Sequence, residues 1–167
     1  SDKATMILAG CATVLIAMAL WAGPALAESR AEVRRIITEE ARDSTVPASL
    51  ALAVAKVESD FRDDYESPTG ARGVMQIMPR TASFVAKDRR LRGAQRNQLF
   101  DPELNLKLGQ KYIDILLADA RIKGDLFRLL TAWNAGPGNL NKWSRKVQHN
   151  NDPLLFIESI PSRETRI

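Results

Sequence analysis

The chain reads as a mainly helical (α+β) single domain with a small β element beside a cleft. Apolar residues recur at helical spacing over most of residues 30–147, and a charge-, Pro- and Gly-rich stretch from Asp60 to Gly73 interrupts them. There is no internal repeat, low-complexity tract or second compositional block to indicate another domain.

The first segment is of another kind. Residues 4–27 carry no charge and are mostly apolar, with Lys3 before them and Ala25-Leu26-Ala27 before Glu28. That is the plan of a secretory signal peptide over residues 1–27, which leaves residues 28–167 as the exported domain. An uncharged run of this length also suits an uncleaved membrane anchor. Leu8-Ala9-Gly10-Cys11 resembles a lipoprotein cleavage box, although the apolar centre lies after Cys11. Each of the three readings exports the domain. Cys11 is the only cysteine, so residues 28–167 form no disulfide and depend on packing.

Arg30 to Arg42 opens the domain as a helix, with Val33, Ile36, Ile37 and Ala41 as its apolar stripe. The next helix is almost uncharged: from Val46 to Val57 the only ionisable side chain is Lys56, and Pro47 suits a first turn. Glu58 follows on the same face as Leu50, Ala51, Val54 and Ala55. A carboxylate there loses hydration, which raises its pKa toward neutrality, as a general acid requires. A structural ion pair with Arg62 or Arg72 is the competing reading.

Beyond the irregular Asp60–Gly73 stretch, residues Val74 to Ile77 suit a short β hairpin or an extended lip. The basic cluster Lys87 to Arg92 has no interleaved aromatics and reads as a solvated helix face or loop, not a nucleic-acid site. Asp101 caps and Pro102 begins a helix whose face holds Leu104, Leu108, Tyr112, Ile115 and Leu116, with Gly124 as its stop. Asp125 caps another through Leu126, Leu129, Leu130 and Trp133, which Gly136 and Pro137 end. An amphipathic stretch from Leu140 to Val147 and a polar turn from Gln148 to Asp152 follow. The net charge of +4 favours an anionic wall polymer or membrane surface. His149 is alone, and the acids from Asp60 to Glu66 lack the glycine and spacing of a calcium loop, so no metal or other cofactor is expected.

Four blocks now stand in order: Glu58-Ser59; Gly73-Val74-Met75-Gln76; Ala132-Trp133-Asn134 followed by Ala135-Gly136; and Glu158-Ser159-Ile160-Pro161 with Glu164-Thr165-Arg166. Together they resemble the catalytic domain of the soluble-type lytic transglycosylases, over about residues 32–167. The resemblance implies a lysozyme-like, goose-type fold and cleavage of the MurNAc-GlcNAc β-1,4 bond of peptidoglycan in the periplasm by a monomer. It implies that Glu58 first protonates the leaving oxygen and then takes the proton of the muramic acid's 6-hydroxyl. That hydroxyl attacks its own anomeric carbon and leaves a 1,6-anhydro end. A positioned intramolecular nucleophile reaches effective molarities of about 10⁵–10⁸ M and outcompetes water.

The same resemblance places Ser67 near the acid and the substrate's acetamido group, Met75, Gln76 and Glu158 in the cleft, and Gly73, Trp133 and Asn134 around it. Each has a plainer reading. Ser67 before Pro68 starts a turn, Met75 packs in the core, Gly73 allows close approach or a positive φ, and Asn134 is a structural hydrogen bonder. Gln76 has an amide able to donate to and accept from sugar groups, while Glu158 also suits a surface turn. Trp133 departs from the family, which commonly has tyrosine there, so the orienting bond to the catalytic carboxylate is an open question. Competing functions are a goose-type-lysozyme-like muramidase, for which Asp60, Asp63, Asp64 or Glu66 would be the second carboxylate, and a non-catalytic peptidoglycan-binding module. By analogy of fold and size, members of this kind open the wall for a secretion, conjugation or flagellar system.

Overall fold

A computed structural model describes residues 29–144. The leader, His149, the Gln148–Asp152 turn and the closing block with Glu158 lie outside the described residues. Within them, residues 29–40 form α1, followed by a 3₁₀ turn at Ala41–Asp43, then α2 (Ala48–Ser59) and α3 (Pro79–Ala86). Two 3₁₀ segments, Arg89–Arg92 and Arg96–Phe100, lead into α4 (Pro102–Leu117), α5 (Leu126–Ala135) and α6 (Pro137–Ser144). No helix among the described residues is long and apolar enough to cross a membrane.

The helices form where apolar spacing and caps coincide. Val33, Ile36 and Ile37 are buried on α1, while Arg35 on its outer side bonds Glu32 and Glu39. α2 buries Ala51, Val54, Ala55 and Ser59. It stops at two consecutive left-handed residues, Asp60 (φ 54°) and Phe61 (φ 62°). Asp60 is held by Lys56 and Arg30, and Phe61 is buried with the Arg34 guanidinium 4.5 Å above its ring. These contacts offset the strain of a left-handed backbone in residues with a side chain.

α4 is the central helix, packed against both α3 and α5. Its Asp101 cap is as the sequence predicts, with the carboxylate accepting from the Leu104 N–H at 2.8 Å. Gly124 is not its stop, however. The helix closes at Leu117, and residues 118–124 turn back around Asp119, which bonds Arg121. Leu108, Tyr112 and Leu116 are buried on α4 as expected and Leu104 packs against the core, while Ile115 is exposed and Leu106 and Ile113 widen the buried face. On α5 the Asp125 cap accepts from the N–H groups of Phe127 and Arg128. Leu129 and Ala132 face the core there, while Leu126 and Leu130 are exposed.

The loop before α3 contains no β-strand. In place of the expected small β element stand two isolated antiparallel bridges, Glu66 with Arg72 and Arg72 with Ile77. Gly73, at φ 73°, turns the chain between them. Asn105 of α4, wholly buried, fastens this turn: its Nδ2 donates to the carbonyls of Arg72 and Leu99, and its Oδ1 accepts from the Met75 N–H, all at 2.8 Å. An amide that satisfies three buried backbone groups at once spares each the cost of burial without a partner.

Candidate active site

α2 delivers Glu58 to a cleft between the 65–78 loop, α3, α4 and α5. The cavity is about 260 Å³ and is lined by Glu58, Ser67, Gln76, Thr81, Tyr112, Trp133 and neighbouring residues. Glu58 is half-buried. Burial pushes its carboxyl above the ordinary value of 4.5, and a hydrogen bond from Trp133 partly opposes the rise. Neither arginine proposed as its partner reaches it. Arg72 bonds Glu66 and Asn97, and Arg62 donates to the Ser59 carbonyl and lies over the Tyr65 ring. Among the described lining residues Glu58 is the sole carboxylate. The Asp60–Glu66 acids do not line the cavity.

Trp133 closes the question its sequence raised. Its Nε1–H donates to Glu58 Oε1 at 3.0 Å, so the indole supplies the orienting bond without a hydroxyl. The ring is itself fixed against Tyr112, with centroids 5.4 Å apart and planes inclined by 41°. An indole N–H can only donate. Oε1 is therefore the acceptor for the indole, and Oε2 is the oxygen that Trp133 leaves unengaged.

Ser59, adjacent to the acid, is a tether: its hydroxyl donates to the Val74 carbonyl at 2.7 Å and so ties the end of α2 to the glycine loop. Gln76 adopts a left-handed backbone (φ 48°) and its Nε2 donates to the carbonyls of Tyr65 and Gly73, both at 2.9 Å. Its Oε1 is buried and has no protein donor among the described residues, although the residue as a whole lines the cleft. Ser67 lines the cleft, and its hydroxyl accepts from the Ala71 N–H at 3.0 Å and pairs with Thr69, which shapes the turn.

One expectation needs correction. Met75 does not reach the cleft, because it is fully buried with its thioether against Gly109, where a Cβ would meet the sulfur at 2.3 Å. Gly73 does not line the cleft either, but its plainer reading holds: it is buried at φ 73° with the Leu99 carbonyl in close approach. Asn134 is exposed and lines the cavity. Tyr112 is the site residue that sequence reasoning placed only in the core. It is mostly buried, which raises its phenol pKa, yet it lines the cleft behind Trp133. Its signal was its place on the α4 apolar face as the only member with a polar end.

The sequence profile of the family described as the transglycosylase SLT domain matches residues 35–156. The soluble lytic murein transglycosylase of Escherichia coli is 37% identical over 122 residues, covering 72% of this chain and 19% of the relative. The crystal structure of the 70 kDa soluble lytic transglycosylase of Escherichia coli superposes with a TM-score of 0.67 at 34% identity, over 79% of this chain and 21% of that one. An inactive glutamate-to-glutamine variant of lytic transglycosylase Slt from Pseudomonas aeruginosa superposes with a TM-score of 0.65 at 30% identity, over 80% and 21%. This chain thus spans about a fifth of the length of these relatives.

Proposed function

Since the chain belongs to the transglycosylase SLT domain family, we propose that it is an exported peptidoglycan lytic transglycosylase that cleaves the MurNAc-GlcNAc bond and forms 1,6-anhydro-MurNAc. The observation that carries this reading is the half-buried Glu58, held by the Trp133 N–H at 3.0 Å in a cleft with no other carboxylate among its described lining residues. Two-carboxylate hydrolysis needs a partner about 5–9.5 Å away, as nucleophile or base. One carboxylate with a raised pKa instead suits a residue that acts as acid and then as base. The inactive Pseudomonas aeruginosa relative, altered at a glutamate, fits the same requirement.

In this mechanism the carboxyl proton of Glu58 passes to the glycosidic oxygen as the bond to the anomeric carbon breaks. The substrate's acetamido group shields the developing positive charge. The carboxylate then removes the proton of the 6-hydroxyl, whose oxygen closes on the anomeric carbon, and Glu58 is protonated again. The Ser67, Thr81 and Tyr112 hydroxyls are the lining groups able to meet the sugars. The bridged loop at Glu66–Ile77 takes the place of the small β element of a lysozyme-like, goose-type fold.

The reading extends to residues 1–27 as a signal peptide or membrane anchor, to a periplasmic domain over residues 28–167, and to local wall opening for a secretion, conjugation or flagellar assembly. Mass spectrometry of muropeptides released from purified peptidoglycan tests the chemistry. Anhydro-muramyl ends are the expected product. Reducing ends would make the protein a muramidase, and no release would make it a binding module.

Trp133→Phe gives a second expected result. It keeps a ring against Tyr112 but removes the donor that favours the Glu58 carboxylate. The Glu58 pKa then rises further, so the alkaline limb of the kcat/KM profile moves to higher pH while kcat falls about tenfold, within the range of acid–base contributions. An unmoved limb would mean that the indole does not tune the acid.

A further inference from the structure

The loop carrying Ser67 and Gln76 borders a second groove of about 670 Å³, which adjoins the cleft because Thr69 and Met78 line both. Arg72, Arg80, Arg92 and Arg96 line this groove with Glu66 as the only carboxylate among the described lining residues. Glu66 is already committed: it accepts from Arg72 Nη2 at 2.8 Å, and Arg72 Nη1 donates to Asn97 at 2.7 Å. Arg80, Arg92 and Arg96 are exposed, and their guanidinium groups make no ion pair or hydrogen bond among the described residues. The start of α3 opens on the same groove, with Pro79 in its first turn and no side chain capping it. Its positive end adds to the field of the arginines. Three guanidinium groups gathered without a counter-charge repel one another, and a planar anion relieves that repulsion while matching their donor geometry.

We infer that this basic groove receives the carboxylates of the peptide stem borne by the glycan strand, which makes Arg80, Arg92 and Arg96 specificity-determining residues of the adjoining cleft. The inference rests on the glycan-strand reading proposed above. The shared boundary at Thr69 and Met78 ties the groove to whatever occupies the cleft. On a peptidoglycan strand the stem hangs from the muramic acid beside the scissile bond, so an occupied cleft brings stem carboxylates to its edge. Arg92 belongs to the Lys87–Arg92 cluster that the sequence presents as a solvated face; folding separates it from Arg90, which pairs with Asp88, and sets it beside Arg80 and Arg96.

The test compares soluble peptide-bearing strands whose stem carboxylates are free with the same strands converted to primary amides. Binding is measured with the full chain carrying Glu58→Gln, which prevents turnover. Free stems are expected to bind about tenfold more tightly at low salt, the sum of three exposed charge pairs, with the advantage shrinking as salt rises. Adding Arg80→Gln, Arg92→Gln and Arg96→Gln, all at exposed unpaired positions, should bring the ratio to about one. Equal affinities in the parent, or a preference that survives the triple substitution, would overturn the inference. Cleavage of peptide-free strands by the Glu58 protein checks the glycan reading separately. Its failure beside an intact charge preference would remove that reading and leave the groove's preference for carboxylates standing.

Discussion

Glu58→Gln is expected to lower glycan cleavage by about 10³-fold, within the range of general acid–base contributions, while the folded protein still binds strands. Glutamine preserves the shape of the side chain and an oxygen able to accept from Trp133 Nε1–H, so the cleft keeps its packing. It has no proton to give and cannot take one from the 6-hydroxyl. The same change reports on burial. Because burial raises the Glu58 pKa above 4.5, the native state holds this proton more tightly than the unfolded chain does. The stability that Glu58 confers is then fully present below pH 4.5 and is lost as pH rises through its raised folded value. The melting temperature of the Gln variant should therefore exceed that of the parent at pH 7 and approach it at pH 4. Full activity in the variant would remove Glu58 from the chemistry, and a pH-independent difference in melting temperature would remove the burial effect.

The helices were legible where a cap and an apolar stripe fall together. Asp101-Pro102 and Asp125 both cap as read, and Val33, Ile36 and Ile37 all face the core. α3 was not legible, because its eight residues leave Phe84 exposed while burying Ala82, Ser83 and Val85, so no stripe stands out at helical spacing. The end of α4 was misplaced for a related reason: glycine is a frequent stop, but Gly124 serves the following turn at φ 72°. Glu58 was legible because a lone carboxylate beside an apolar face is costly and so draws attention. Its bond from Trp133, 75 positions along the chain, depends on how α2 and α5 meet, and no local pattern encodes that. The interior place of Met75 and the clamp made by Asn105 have the same origin. Each is decided by a partner from α4 that fills or satisfies what the glycine loop leaves open.

Gly73→Ala should be among the most damaging single changes in this fold. The residue sits at φ 73°, and an added Cβ would lie 2.2 Å from the Leu99 carbonyl oxygen and 2.5 Å from Asn105 Nδ2. A left-handed alanine costs about 1–2 kcal/mol, and forcing extra volume into a packed interior about 1–3 kcal/mol more. The expected loss of about 2–5 kcal/mol is a large part of the roughly 5–15 kcal/mol that holds a domain together. Two other glycines separate the contributions. Gly70→Ala has the same backbone problem at φ 89° but nothing within 4 Å of the new atom, so it should cost only the about 1–2 kcal/mol of the conformation. At Gly109 the clash is with the Met75 thioether, a flexible group, so an alanine there displaces Met75 and costs less than a clash with backbone. Urea denaturation of the three variants should rank Gly73→Ala as the least stable. Activity should follow for Gly73 in particular, since its carbonyl accepts from Gln76 and its neighbour Val74 is tethered by Ser59, next to the acid. If Gly73→Ala proved no worse than Gly70→Ala, the close approach of Leu99 and Asn105 would have to yield at little cost, and the loop would be a softer support for Glu58 than its hydrogen bonds indicate.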